Sequence, residues 1–203
     1  CDIPAHVESN TGYFSSYEIQ VILSMLRILD NPLQDIPMAA VLASPIVGMD
    51  DEELAQIRSA FKGVSFAQAA LSAMAGENGY EDEKLKAFAL IFERLRGAVA
   101  DTPIHELLYM MLDETGFYRY ASAMPAGKRR RQNIDMLIEM AAAYEKTSYK
   151  GLFHFVRYID IQQKYEIDYG EADTAGENDD VVRIMTIHKS KGLEFPVVFV
   201  SGL

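Results

Sequence analysis

Over most of this chain the apolar positions recur at three- and four-residue intervals, the period of an amphipathic helix. From Asp82 to Val99, the residues Leu85, Phe88, Phe92, Leu95 and Val99 form one such stripe. The stretch "SSYEIQVILSMLRILD", residues 15–30, is apolar nearly all round and predicts a buried helix. Ser15 with Glu18 supplies a capping box at its start, and Asn31-Pro32 ends it. Pro37 can open a second, short helix in its first turn, and Ser44-Pro45 closes it. Asp50 with Glu53, and Ser65 with Gln68, repeat the capping box for "DDEELAQIRSAF" and "AQAALSAM". Thr102-Pro103 reads as an N-cap followed by proline at the first helical position of "IHELLYMMLDETG", which Gly116 stops. "RQNIDMLIEMAAAYEK" and "KGLFHFVRYIDIQQKY" supply two further helices.

The pattern changes at residue 170. "GEADTAGENDD", residues 170–180, is acidic, contains glycine and has no apolar residue larger than alanine, as expected of a mobile linker. After it come "VVRIMTI" and "PVVFV", β-branched and apolar on both faces, the signature of buried parallel strands. "IPAHV", residues 3–7, is a third candidate strand. The expected fold class is therefore mainly α: a multi-helix body over residues 15–169, set between pieces of an α/β sheet at 1–14 and 181–203. No internal repeat or low-complexity tract interrupts it.

Composition narrows the function classes. Hydrophobic residues make up 49% and charged residues 24% of 203 residues, enough for a sizeable core in one domain or one domain plus part of another. No apolar run approaches the roughly 18 residues of a membrane span, and residues 1–15 have neither a basic nor an apolar leader segment. The lone Cys1 excludes an internal disulfide and a cysteine metal site and fits a reducing cytoplasm. Cysteine in place of methionine at residue 1 is expected of a piece of a longer chain. The formal net charge of −11 opposes broad electrostatic DNA binding, so any nucleic-acid contact must be local.

Candidate chemistry concentrates in the polar turn between the last two strands. Thr186 and His188 place a hydroxyl and an imidazole at a strand end, where α/β proteins bind ligands. Lys189 and Lys191 can meet phosphates, Gly192 permits a close backbone approach, and Glu194 can accept from a sugar hydroxyl. The alternative is a solvated turn. "GKRRR", residues 127–131, is the only basic cluster: either a phosphate grip, or a solvated first helical turn with an arginine paired to acidic neighbours. Cations at a helix N-terminus oppose the dipole, which hints at a partner. "LLYMMLDETG" has the apolar run and Asp113-Glu114 of a nucleotide-hydrolysing element, but its pattern is helical and no G-x-x-x-x-G-K-[ST] occurs, so a polar helix end is expected. "YEIDYG", residues 165–170, resembles a nuclease element but has Gly170 where the lysine should stand. His6, His105 and His154 lack metal-ligand spacing, so no metal site is expected.

The terminal "VVRIMTIHKSKGLEFPVVFVSGL" closely resembles motif V of superfamily 1A helicases, the UvrD/Rep/PcrA and RecB group. Its "T-x-H-x-S-K-G-L-E-F" string matches position by position. Upstream, "IPAHVESNTGYFSSYEIQVILSMLRILDNP" resembles the segment following motif IV in these helicases. "RRRQNIDMLIEMAAAYE" and "GLFHFVRYI" resemble their inserted helical domain, called 2B. Within the group, the similarity is greatest to the helicase–nuclease subunits of bacterial double-strand-break repair complexes.

The resemblance implies a 2B-type insertion at 15–169, a linker at 170–180, and fringes of the RecA-like motor domain 2A at 1–14 and 181–203. It implies that Thr186 and His188 meet the single-stranded DNA track, and that Gly192 and Glu194 reach the ATP ribose. It also implies a cytoplasmic, nucleoid-associated parent protein that uses ATP and Mg²⁺ to unwind and resect DNA ends for recombinational repair. Its partners would be DNA and a second subunit of the AddB/RexB type. The phosphate cradle, glutamine motif, arginine finger and nuclease motifs are missing from this sequence, so the chain alone is expected to be inactive. The competing expectation is a stand-alone helical interaction module with a helicase-like tail.

Overall fold

In a computed structural model the chain is described for residues 5–7, 12–146, 151–164, 182–185, 190–191 and 194–200. Among these, nine α-helices form one bundle: α1 (Tyr17–Asp30), α2 (Asp35–Ala43), α3 (Asp51–Ala60), α4 (Phe66–Met74), α5 (Glu83–Ala98), α6 (Ile104–Thr115), α7 (Phe117–Ala123), α8 (Gly127–Tyr144) and α9 (Leu152–Lys164). Two short strands, β1 (Ala5–Val7) and β2 (Val182–Ile184), pair in parallel, with Ala5 opposite Val182 and Val7 opposite Ile184.

Helix α1 is the centre of the bundle, packed by α2, α5, α8 and α9. Its all-round apolar sequence is what that position requires: Ile19, Ile22, Met25, Leu26 and Ile28 are wholly buried. Each such side chain contributes about 1.5–3 kcal/mol of burial. The capping boxes expected at Asp50–Glu53 and Ser65–Gln68 both form. Asp82 caps α5 by accepting from the Leu85 N–H at 2.8 Å, and the stripe Leu85, Phe88, Phe92 and Leu95 faces the core. Gly116, at φ 66°, ends α6 and turns directly into α7. Asp35, the first residue of α2, accepts from the Ala67 N–H at 2.9 Å and so ties α2 to the start of α4.

Three expectations need correction. Ser15 and Glu18 do not form a capping box. Ser15 lies in a single 3₁₀ turn (Tyr13–Ser15), Ser16 is the N-cap with its hydroxyl donating back to the Tyr13 carbonyl at 2.6 Å rather than capping the helix, and Glu18 turns inward. Thr102 is not the cap of α6. Pro103 takes that place, and the free Ile104 N–H is met by the Glu145 carboxylate from the end of α8. The stretch Pro196–Val200 is not a strand, and Val197, Val198, Phe199 and Val200 are exposed. An apolar run is buried as a strand only when a neighbour pairs with it and a layer covers it, and no described residue does either. The proposed linker 170–180 and "YEIDYG" lie outside the described residues.

Candidate functional site

Strand β2 carries the chain into the polar turn. Beyond it Met185 is half-buried, Lys191 and Glu194 are exposed, and Phe195 is half-buried. Thr186, His188, Lys189 and Gly192 lie outside the described residues. Of the four residues assigned to ligands by resemblance, the structure thus locates Glu194 alone, with its carboxylate open to solvent. Val182 and Ile184 are each about half exposed, so β2 has an uncovered apolar face.

The helical candidates resolve into structural pairs. Asp113 and Glu114 end α6 and pair with Arg119 at 3.6 Å and Arg94 at 3.4 Å, the polar helix end expected of them. His105 Nδ1 lies 2.5 Å from Glu145 Oε2, beside the carboxylate that caps α6. The His154 ring meets Phe153 edge-on at 5.3 Å. Among the described residues, no group of three His, Cys, Asp or Glu side chains could hold a metal ion.

The basic cluster divides. Arg130 turns inward: Nη1 donates to Glu18 Oε2 at 2.5 Å and Nε donates to the Pro125 carbonyl at 3.0 Å. Asn133, one turn on, donates from Nδ2 to Glu18 Oε1 at 2.6 Å and accepts at its carbonyl from the Tyr13 hydroxyl at 2.8 Å. Glu18 is 2% and Asn133 1% exposed. Burial first, and the Glu18 charge second, push the Tyr13 hydroxyl far above its ordinary pKa. The Tyr13–Asn133–Glu18–Arg130 cluster therefore bolts the start of α1 to α8. The sequence held a signal for it: a carboxylate on a helix apolar nearly all round needs a cationic partner, and only one basic cluster was available.

Lys128 and Arg131 remain exposed on the outer side of the same turn. Arg131 lies near Tyr118 of α7, whose hydroxyl donates to Asp135 at 3.0 Å, while Tyr120, stacked on Phe117 at 6.2 Å and 17°, lies near Tyr17 at the start of α1. Tyr120 and Tyr17 are 45% and 44% exposed. Partial burial raises the Tyr17 hydroxyl pKa, Tyr120 adds to the rise, and Arg130 opposes it, which places the three groups within one electrostatic neighbourhood. Gly127 makes this close junction of α7 and α8 possible: a Cβ there would lie 1.9 Å from the Ser122 carbonyl oxygen.

A helical bundle carrying a short parallel strand pair, followed by the T-x-H-x-S-K-G-L-E-F turn, defines the class. The chain belongs to the family of UvrD-like helicase C-terminal domains, which matches residues 1–203. It is similar to proteins named as subunits of ATP-dependent helicase/nucleases. The one from Anoxybacillus flavithermus is 46% identical over 203 residues, covering 99% of this chain and 17% of the relative. Those from Bacillus cytotoxicus and Bacillus mycoides are 46% and 44% identical over 205 residues, covering 99% of this chain and 16% of each relative. The chain thus spans about a sixth of the length of these curated relatives.

Proposed function

We propose that this chain is the 2B-type insertion and adjoining motif V fringe of an ATP-dependent DNA helicase/nuclease subunit of the AddA (RexA) type. Its parent protein unwinds and resects DNA ends for recombinational repair, in the cytoplasm and at the nucleoid, beside an AddB/RexB-type second subunit. The carrying observation is the similarity of 46% over 99% of the chain to helicase/nuclease subunits. In this reading residues 15–169 are the insertion and 170–180 its linker. Residues 1–14 and 181–203 are the edge of the RecA-like domain 2A, whose remaining layers cover the open face of β2. Thr186 and His188 contact single-stranded DNA, and Gly192 and Glu194 reach the ATP ribose. The stand-alone module reading is set aside, because each reported relative carries the matching region inside a much longer chain.

The residues of this chain do not make a whole site for ATP and Mg²⁺. No phosphate cradle occurs in the sequence, and the described residues hold no carboxylate group fit for a metal. Glu194 offers one acceptor for a sugar hydroxyl and nothing for the phosphates. The isolated chain should therefore turn over no ATP, and magnesium-dependent hydrolysis by the purified chain would sink that part of the proposal. In the full-length protein, Glu194→Ala should lower kcat/KM for ATP by roughly tenfold, the weight of one well-placed hydrogen bond. His188→Ala should instead raise the single-stranded DNA concentration needed to stimulate turnover. Wild-type values for both variants would overturn these roles.

A further inference from the structure

Where α4 and α5 pack, they leave an open groove of about 400 Å³. Its floor is apolar, built by Leu71 and Met74 of α4 and by Ala89 and Phe92 of α5, and its rim carries Glu93, Arg96 and Gly97. Leu90 stands three residues before Glu93 and seven before Gly97, hence on the same side of α5, and is 68% exposed. Gly97 is not required by the fold: it lies within the helix, and a Cβ there would meet nothing within 4 Å. Glycine inside a helix weakens it relative to alanine, so its place on the rim suits a close approach from outside the bundle. The charges of α5 single out the same rim. Lys84 pairs with Glu53 at 2.7 Å, Lys86 with Glu81 at 3.5 Å and Arg94 with Glu114 at 3.4 Å. Glu93 and Arg96, both exposed, have no ion-pair partner among the described residues.

We propose that this rim is a two-fold interface between two copies of the chain, α5 packing antiparallel on α5 with Leu90 of each copy seated beside Gly97 of the other. A two-fold axis near residues 93 and 94 sets Leu90 opposite Gly97. It leaves Glu93 and the other copy's Arg96 two residues' rise apart along the helix, about 3 Å, within reach of both side chains. Each copy thereby supplies the cation that the other's Glu93 lacks and an apolar side chain for the other's groove. An exposed apolar knob, a hole left by a glycine and an unpaired acid–base couple on one helix face complement themselves on rotation, so the surface itself specifies a second copy as its occupant. The other cations of α5 are neutralised within each copy, so the two faces meet without a local excess of like charge. The contact covers about two helical turns, and an interface that small suits a weak, reversible dimer. Helix α5 carries none of the residues assigned above to DNA or ATP, and the dimer does not depend on the function proposed for the chain.

The test is sedimentation equilibrium of the 203-residue chain from about 10 µM to about 1 mM, at about 150 mM salt. The weight-average mass should rise from 22.7 kDa towards twice that value and no further, with a Kd of roughly 100 µM. Leu90→Ser and Gly97→Gln should each weaken association at least about tenfold. Gly97→Gln should at the same time raise the melting temperature, because the new side chain enters open space on a helix. Glu93→Arg and Arg96→Glu should each abolish self-association. Mixed in equal amounts, those two variants should pair with one another about as well as the wild type, since each restores the couple that the other has reversed. All four positions are exposed, so circular dichroism of every variant should match the wild type. The proposal is overturned if the chain stays monomeric to about 1 mM, a result that leaves the groove to a different protein or to another part of the parent chain. It is overturned equally if the mass rises past the dimer, if Leu90→Ser and Gly97→Gln leave association unchanged, or if the mixed charge variants fail to pair.

Discussion

Replacing Glu18 with alanine tests the bolt between α1 and α8. The carboxylate is 2% exposed and accepts from Asn133 Nδ2 at 2.6 Å and Arg130 Nη1 at 2.5 Å. Its removal deprives a buried amide of its acceptor, at about 1–3 kcal/mol. Breaking a fully buried ion pair costs about 3–5 kcal/mol, but the Arg130 side chain is 23% exposed and recovers part of its hydration, so roughly 1–2 kcal/mol is expected from it. The sum is about 3 kcal/mol, or a fall in Tm of about 6–12 °C for a chain of this size. Urea unfolding followed by circular dichroism measures it. Glu18→Gln keeps one acceptor and loses the charge-assisted bond, so it should cost about 1–2 kcal/mol. Glu18→Leu with Arg130→Met removes both charges and should fall between wild type and Glu18→Ala, because no unpaired ion remains. A Glu18→Ala midpoint within about 0.5 kcal/mol of wild type, at unchanged m-value, would refute the cluster as the joint between these helices.

Gly127→Ala should destabilise by about 3 kcal/mol or more in the same assay, since the new methyl meets the Ser122 carbonyl at 1.9 Å and neither backbone can yield without parting α7 from α8. Leu26→Ala, at a wholly buried position of α1, should cost about 2–5 kcal/mol. Glu145→Ala removes the acceptor from the Ile104 N–H and should cost about 1 kcal/mol, whereas Glu145→Gln, which retains an acceptor, should cost less. Tyr13 gives a pH signature. Its hydroxyl is held above its ordinary value of 10.0 in the folded chain, so the unfolded chain ionises first. Stability is therefore full below pH 10 and falls above it, by up to about 1.4 kcal/mol per pH unit from this group. Tyr13→Phe, lacking the bond to the Asn133 carbonyl, should start lower at neutral pH yet lose less between about pH 10 and 11; equal slopes would refute the assignment.

Helix signals in this sequence were legible where the deciding chemistry is local. Asp50 with Glu53 and Ser65 with Gln68 form the boxes their spacing predicts, because each partner lies within one turn and nothing distant competes. Ser15 with Glu18 shows the same spacing and fails, because Arg130 and Asn133, more than a hundred residues away, offer Glu18 stronger bonds. Pro103 caps α6 for a similar reason: the acceptor for the first free N–H arrives from Glu145 in another helix. Helix α7, seven residues long, is too short for two periods of an apolar stripe and left no readable pattern. Strand pairing is non-local throughout. Short strands do lie within the expected stretches, at 5–7 and 182–184, and they pair with each other in parallel, but Val182 and Ile184 are half exposed rather than buried, and Val197–Val200 has no described partner and lies open. The turn between them was legible as chemistry through its residue types, yet of its four assigned residues only Glu194 has a described position.

The "GKRRR" cluster offered a choice between a structural turn and a phosphate grip, and the geometry makes that choice residue by residue. A helix N-terminus repels cations, so a row of them there needs compensation. Glu18 neutralises Arg130 from α1, and the Pro125 carbonyl takes its second donor. The Ser122 carbonyl, pressed against Gly127, lays negative dipole over the start of α8. With that much of the turn satisfied internally, Arg130 is committed to the fold and its substitution should read out in stability. Lys128 and Arg131 are exposed, and Arg131 touches the bundle only through its field on the Tyr118 hydroxyl, so their reversal should leave the melting curve nearly unmoved. A large loss of stability from Lys128→Glu or Arg131→Glu would place them with Arg130 as part of the joint between α1 and α8.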